Sequence, residues 1–202
     1  HCESSAASDV YKRQIQDHTG VQSNSVEIWG YASYGGNPSN TILNQLTTAV
    51  SIYSTDSAFA AILSDGSVVT WGSSGNGGDS SSVSTQLSSG VVDIFSNANS
   101  FVALKSDGSL VTWGASGNGG DSSSVSNQIS SGVIGVASTF WMHAALKSDG
   151  SVVTWGTSHG YGAPSSSVSQ QLSSGIVSIV GGMYAFAAVS YTHLRAHETQ
   201  SD

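Results

Sequence analysis

Ser100-Phe101-Val102-Ala103-Leu104-Lys105-Ser106-Asp107-Gly108-Ser109-Leu110-Val111-Thr112-Trp113-Gly114 is the stretch that decides the fold. Two short runs of apolar, β-branched and aromatic residues flank Asp107-Gly108. Asp-Gly between such runs is a strong hairpin signal, because a tight two-residue turn needs positive φ at its centre. The pattern predicts a strand over 100–105, a two-residue turn at Asp107-Gly108 and a return strand over 110–113. Upstream, Val91-Val92-Asp93-Ile94-Phe95 alternates and predicts a first strand. Downstream, 114–132 is a polar Ser/Gly stretch carrying only Val125 and Ile129, with room for at most a short fourth strand.

The same unit returns every 42 residues. Trp29, Trp71, Trp113 and Trp155 keep that interval, and each is followed by glycine: Gly30, Gly72, Gly114 and Gly156. The turns Asp65-Gly66, Asp107-Gly108 and Asp149-Gly150 keep it too, as do Gly36, Gly78, Gly120 and Gly162, seven after each Trp. First strands fall at Val50/Ile52, Val92/Ile94 and Ile134/Val136, and Val177/Ile179 slips by one. A fixed period of this size means one supersecondary unit copied along the chain. In Val68-Val69-Thr70-Trp71, Val69 and Trp71 point one way and Val68 the other, so the strands must be covered on both faces. Small antiparallel sheets stacked face to face meet that demand. The expected fold is therefore all-β: a partial or arc-like β-propeller with antiparallel blades of about 42 residues. The periodic tryptophans are read as blade core rather than as a cofactor box. Three full hairpin units are expected, with a partial one at the front (21–30) and another at the back (176–189).

Composition narrows function more than it defines it. The chain has 202 residues and a formal net charge of −8, with 9% charged residues. Between Val21 and Val189 the cations are Lys105 and Lys147, against Glu27, Asp56, Asp65, Asp79, Asp93, Asp107, Asp121 and Asp149. No basic patch exists to neutralise phosphates, which argues against nucleic-acid binding or an anionic membrane surface. No apolar run is long enough to span a bilayer. A single cysteine, Cys2, precludes an intrachain disulfide. Composition changes abruptly outside 21–189. Ala6-Ala7-Ser8-Asp9-Val10-Tyr11-Lys12-Arg13-Gln14 and Val189-Ser190-Tyr191-Thr192-His193-Leu194-Arg195-Ala196-His197-Glu198-Thr199 resemble translated sequencing adapter. Segments 1–20 and 190–202 are accordingly expected to stand outside the repeat domain, and the spacing of His193 and His197 is given no weight as a metal pair.

The string Val-Val-x-Ile, then Phe-x-Ala-Leu-Lys-x-Asp-Gly-Ser-x-Val-x-Trp-Gly, then Gly-Gly resembles the repeat of the regulator of chromosome condensation family over roughly 21–189. The resemblance implies a propeller of four-stranded blades, commonly seven. It also implies, as one alternative function, nucleotide exchange on a small GTPase. The sequence departs from the family pattern. The family's Gly-x-x-His ahead of Ala-Leu is replaced by Ala58, Ser100, Met142 and Ala185 at the His slot, and its Gly-Gln-Leu-Gly is shortened to Gly77-Gly78 and Gly119-Gly120. Seven blades at this period need roughly 290 residues, so the chain corresponds to part of a propeller. An arc leaves two blade edges open, where self-association is possible.

Candidate chemistry is sparse. Gly75–Asp79 and Gly117–Asp121 read Gly-Asn-Gly-Gly-Asp, which hints at a calcium loop; the period of 42 is far from the nine of calcium β-rolls, and an Asx turn is the simpler role for Asp79 and Asp121. Ser64-Asp65-Gly66 resembles the Asp box of sialidase propellers, yet Asp and Gly are adjacent here, which suits a tight turn. Lys105 and Lys147 fall at strand ends, where a solvated charge is expected. Trp141 breaks the period, in Ser138-Thr139-Phe140-Trp141-Met142-His143; it either packs between blades or binds a ligand. Tyr34, His159 and Tyr161 follow a repeat Trp in loops and join Trp141 and His143 as candidate binding residues; His143 and His159 pair only if their loops meet. No catalytic triad, phosphate loop, metal site or cofactor site stands out. The function expected is a non-enzymatic binding or scaffolding module, a piece of a longer repeat protein that contacts a protein or glycan through blade loops. A glycan-hydrolase propeller is a further alternative, and it needs two carboxylates converging in a cleft.

Overall fold

The computed structural model describes residues 12–16, 22–156 and 166–191. At the front, β1 (Lys12–Gln16) pairs antiparallel with β2 (Gln22–Val26), so part of the stretch set outside the repeat forms a hairpin with its opening strand. A helix, α1 (Asn40–Leu46), follows, with the Ser39 hydroxyl accepting from the Ile42 amide at 3.4 Å. Three antiparallel three-stranded sheets come next. Unit 1 is β3 (Ala49–Ser54), β4 (Ala58–Leu63) and β5 (Val68–Gly72). Unit 2 is β6 (Val91–Ser96), β7 (Ser100–Lys105) and β8 (Leu110–Gly114). Unit 3 is β9 (Val133–Ser138), β10 (Met142–Lys147) and β11 (Val152–Gly156). A short helix, α2 (Ser166–Ser169), leads into unit 4, which among the described residues comprises β12 (Ile176–Gly181) and β13 (Phe186–Ser190).

The sheets stack face to face, which makes the chain an arc of propeller blades. Ala58, Ala60, Ile62 and Val68 of unit 1 pack against Ile94, Phe101, Ala103, Val111 and Trp113 of unit 2. The other face of unit 2, with Val102, Leu104 and Leu110, packs in the same way on Val133, Ala145, Val153 and Trp155 of unit 3. Alternation along each strand thus serves two seams at once.

Each seam is also hydrogen-bonded. The Val91 amide donates to the Gly66 carbonyl at 2.9 Å, Val133 to Gly108 at 2.9 Å and Ile176 to Gly150 at 3.0 Å, so the hairpin turn of one unit holds the first strand of the next. The indoles cross the seam in the same direction, from the later unit to the loop of the earlier one. Trp113 Nε1 donates to the Gly77 carbonyl and Trp155 Nε1 to the Gly119 carbonyl, each at 3.0 Å and 36 residues back.

Four expectations change. The blades have three strands among the described residues, not four. The Ser-rich tails form 3-10 turns at Ser81–Val83 and Ser123–Val125, and drop Leu87 and Ile129 into the core. Serine hydroxyls there bond to nearby carbonyls, Ser84 to Ser81 and Ser88 to Thr85, and such local bonds compete with a sheet ladder. The hairpin turns are not two-residue loops. The Leu63 amide donates to Ser67 and the Gly66 amide to Leu63, which closes a three-residue loop with only the glycine needing φ near +77°. The Lys105 ammonium is not simply solvated, since it donates to the carbonyls of Gln86 and Ser89. Finally, Trp29 is 48% exposed, whereas Trp71, Trp113 and Trp155 are buried. Residues 27–29 lie outside the described strands, whereas the other three tryptophans lie within β5, β8 and β11.

Candidate functional site

The turns between first and second strands share one rim with the Gly-Asn loops that follow the third strands. Thr55 Oγ1 donates to the Asn76 carbonyl at 3.1 Å, and Asn97 Nδ2 donates to the Asn118 carbonyl at 2.6 Å. A row of amides runs along this rim: Asn118 Nδ2 donates to Asn99 Oδ1 at 2.7 Å, and Asn99 Nδ2 to Asn76 Oδ1 at 3.3 Å. The Gly-Asn motif contained the signal for this row, but reading Asp79 and Asp121 as its chemistry obscured it. Those two aspartates close their own loops, each Oδ1 accepting from the amide two residues on, Ser81 or Ser123, at 2.9 Å. These bonds lower both carboxyl pKa values.

Trp141 sits on the rim turn of unit 3. Its ring meets Phe140 edge-on at 5.1 Å and Tyr184 of unit 4 at 5.3 Å. The Phe140 amide donates to the Met183 carbonyl at 3.0 Å, tying the two turns together. Trp141 and Phe140 are half-buried, while Met183 and Tyr184 are exposed. Packing and presentation therefore coexist: the indole bridges two units and remains part of an aromatic surface. Phe140, Met183 and Tyr184 lie where the copies diverge most, which was the available sequence signal for them.

Tyr34 stands on a 3-10 turn, Ala32–Tyr34, at the front of the array, 55% exposed and 6.2 Å from Tyr31. It belongs to the same kind of loop as Asn76 and Asn118, two units away from Trp141. His159 and Tyr161 lie outside the described residues, as do His193 and His197.

His143 is not on the surface. It is completely buried, in the slot that Phe59 and Phe101 fill in the earlier units, and its ring meets Trp155 at 5.5 Å with a 34° tilt, where theirs stack on Trp71 and Trp113 at 5.2 Å. Asn97 Oδ1 accepts from the amides of Asn99 and Ser100, which turns Nδ2 toward His143 Nε2 at 3.2 Å. Nε2 also lies 2.9 Å from Ser100 Oγ, and Nδ1 faces Ser138 Oγ at 2.8 Å, so both ring nitrogens have polar partners. Burial pushes the imidazole pKa down to about 3. A binding role for this side chain is thus replaced by a packing role: it is a phenylalanine substitute whose polar atoms are satisfied inside the seam.

The carboxylates are spread rather than converged. Asp65, Asp107 and Asp149 each accept from the serine two residues on, one per hairpin turn. Asp93 accepts from the Tyr53 hydroxyl of the preceding unit at 2.8 Å. Among the described residues no three His, Cys, Asp or Glu side chains gather into a metal-binding group.

No family model matches the chain, and no curated protein matches it. Solved structures do show likeness. The chain is similar to the CRINKLY WD40 ectodomain from the Arabidopsis thaliana receptor kinase ACR4, with 15% identity and a TM-score of 0.42, over 70% of this chain and 45% of that one. It is similar to yeast RCC1 (Prp20), solved bound to Kap60, with 17% identity and a TM-score of 0.49, over 70% and 41%. It is similar to human WBSCR16, with 15% identity and a TM-score of 0.47, over 86% and 56%. The chain thus spans about half the length of each. The fold follows from the molecule's own geometry: stacked antiparallel sheets of constant period, joined at every seam by the same turn, make an arc of a β-propeller.

Proposed function

We propose that the chain is a non-enzymatic binding or scaffolding module, part of a longer repeat protein, that contacts a protein or glycan through its loop rim. The observation that supports this reading is the aromatic group of Phe140, Trp141 and Tyr184, held across two units where the repeat is broken. Rigid rings present large contact area at small entropic cost, and a surface built from them suits either an apolar peptide side chain or a sugar face. The test compares the unaltered chain with Trp141→Ala and Tyr184→Ala in pull-downs and on a glycan array. Each variant should retain its circular dichroism and lose about ten-fold or more in affinity for whatever the parent captures. Equal capture by parent and variants removes the rim from the reading. Turnover of a substrate by the purified chain overturns the non-enzymatic part.

A further inference from the structure

One loop sequence occurs twice in the chain, and the fold surrounds its two copies differently. Residues 74–84 and 116–126 both read Ser-Gly-Asn-Gly-Gly-Asp-Ser-Ser-Ser-Val-Ser. Each ends a 3-10 turn on an Asn-Gly pair, Asn76-Gly77 or Asn118-Gly119. Without a Cβ, the glycine leaves its backbone nitrogen unshielded, so that nitrogen can attack the asparagine Cγ. Packing demands this glycine. Gly77 has φ +101°, and a Cβ there would lie 2.5 Å from the Phe101 ring; Gly119 has φ +94°, and a Cβ would lie 2.5 Å from the His143 ring. Hydrogen bonding separates the two copies. Asn99 stands between them: its Nδ2 donates to Asn76 Oδ1 at 3.3 Å, and its Oδ1 accepts from Asn118 Nδ2 at 2.7 Å. A donor at Oδ1 stabilises the negative charge that gathers there when Cγ is attacked. A short bond from Nδ2 instead holds the amide in place, whereas Asn76 Nδ2 donates to the Ser73 hydroxyl at the longer distance of 3.4 Å. The backbone differs in the same sense. The Asn118 carbonyl accepts from Asn97 Nδ2 at 2.6 Å and Ser100 Oγ at 2.7 Å, while the Asn76 carbonyl accepts from Thr55 Oγ1 at 3.1 Å.

We propose that Asn76 is a site of spontaneous deamidation, set faster than Asn118 by Asn99, and that its conversion loosens the seam between units 1 and 2. The Gly77 nitrogen bonds to Asn76 Cγ, the Cγ–Nδ2 bond breaks, and ammonia leaves carrying the Gly77 amide proton. A cyclic imide remains. Water adds to either imide carbonyl and opens the ring, giving aspartate or isoaspartate. Isoaspartate routes the main chain through Cβ and Cγ, which lengthens it before Gly77 by a methylene and turns the former Asn76 carbonyl into a free carboxylate. Gly77 is the residue whose carbonyl receives the Trp113 indole at 3.0 Å. Displacing it breaks that bond across the seam, so a chemical change in a rim loop is felt in the core.

The experiment ages the whole 202-residue chain in mildly alkaline buffer, folded and in urea. Peptide mapping by mass spectrometry follows both pairs, and labelling by isoaspartyl methyltransferase identifies the isoaspartate. In urea the two should convert at the same rate, because their flanking sequences match. In the folded chain Asn76 should convert about five-fold or more faster than Asn118. Asn99→Ser places at 99 the residue that unit 1 carries one period earlier, Ser57, and removes both side-chain bonds to the neighbouring asparagines. It should bring the two folded-state rates within about two-fold of each other. Ageing should lower the urea midpoint of the parent. It should do so much less for Asn76→Gln, whose longer side chain closes an imide poorly, and for Trp113→Phe, in which the seam bond is already absent. Equal rates in the folded parent, faster conversion at Asn118, no conversion at either pair, or a rate difference that survives Asn99→Ser overturns the proposal. So does an aged, converted chain whose urea midpoint has not moved.

Discussion

Single side chains set the strength of each seam. The Trp113 and Trp155 indoles both donate across it, whereas Trp71 Nε1 is buried without a hydrogen-bond partner. Replacing indole by phenyl therefore has unequal cost. Trp113→Phe strands the Gly77 carbonyl, while Trp71→Phe removes an unsatisfied donor. Chemical denaturation should find Trp113→Phe more destabilising than Trp71→Phe by about 1–2 kcal/mol. His143 makes stability depend on pH. Its folded pKa, about 3, lies below the ordinary 6.5. Between those values the unfolded chain binds a proton that the folded chain does not, so stability is full above pH 6.5 and falls as the solution is acidified. From pH 7 to pH 5 the loss should be about 2 kcal/mol. His143→Phe, which restores the ring used in the earlier units, should abolish most of that slope in urea titrations at the two pH values.

At the level of elements, the hairpin turn is the joint between units. Gly108 has φ +76°, and a Cβ there would lie 2.9 Å from the Gly132 amide nitrogen, beside the Val133 amide that Gly108 itself receives. Gly108→Ala should cost about 1–3 kcal/mol in thermal or urea unfolding, and more than the same change at Gly117, whose Cβ would meet open space. The strands were legible because apolar alternation and the Asp-Gly punctuation are local signals repeated three times. The structure places β6, β7 and β8 within a residue of where alternation predicts them. The 3-10 turns were not legible, because a Ser-rich run carries no periodicity and its conformation is set by hydroxyl-to-carbonyl bonds and by one buried Leu or Ile. The α1 helix was missed for a related reason, since its only sequence sign is the Ser39 cap and a single buried anchor, Leu46. His143 stood among the candidate binding residues because its position in the ring slot becomes visible only when Phe59, Phe101 and His143 are aligned on the strand register rather than on residue type. The aromatic rim was half legible: Trp141 broke the period, but Tyr184 reaches it from a unit whose register slips by one.

Across the whole molecule, stability should be graded. Unit 2 is covered on both faces by three-stranded sheets, unit 1 has the front segment on one side, and unit 3 borders β12 and β13. Hydrogen exchange at low protein concentration should find β7 most protected and β13 least, because nearest-neighbour stacking makes the interior units the last to open. Uniform protection along the chain would show that the units do not open separately. The indole bonds add a direction to this array. Trp113 and Trp155 each reach a carbonyl made 36 residues earlier. During synthesis, a newly emerged repeat finds its acceptor loop already made and waits for nothing downstream. Trimming such a chain from its C-terminal side past Trp155 leaves the Trp113 ring capped, whereas trimming from the N-terminal side past Gly77 strips that cap away. Lengthening by adding copies at the tail therefore preserves what is already folded.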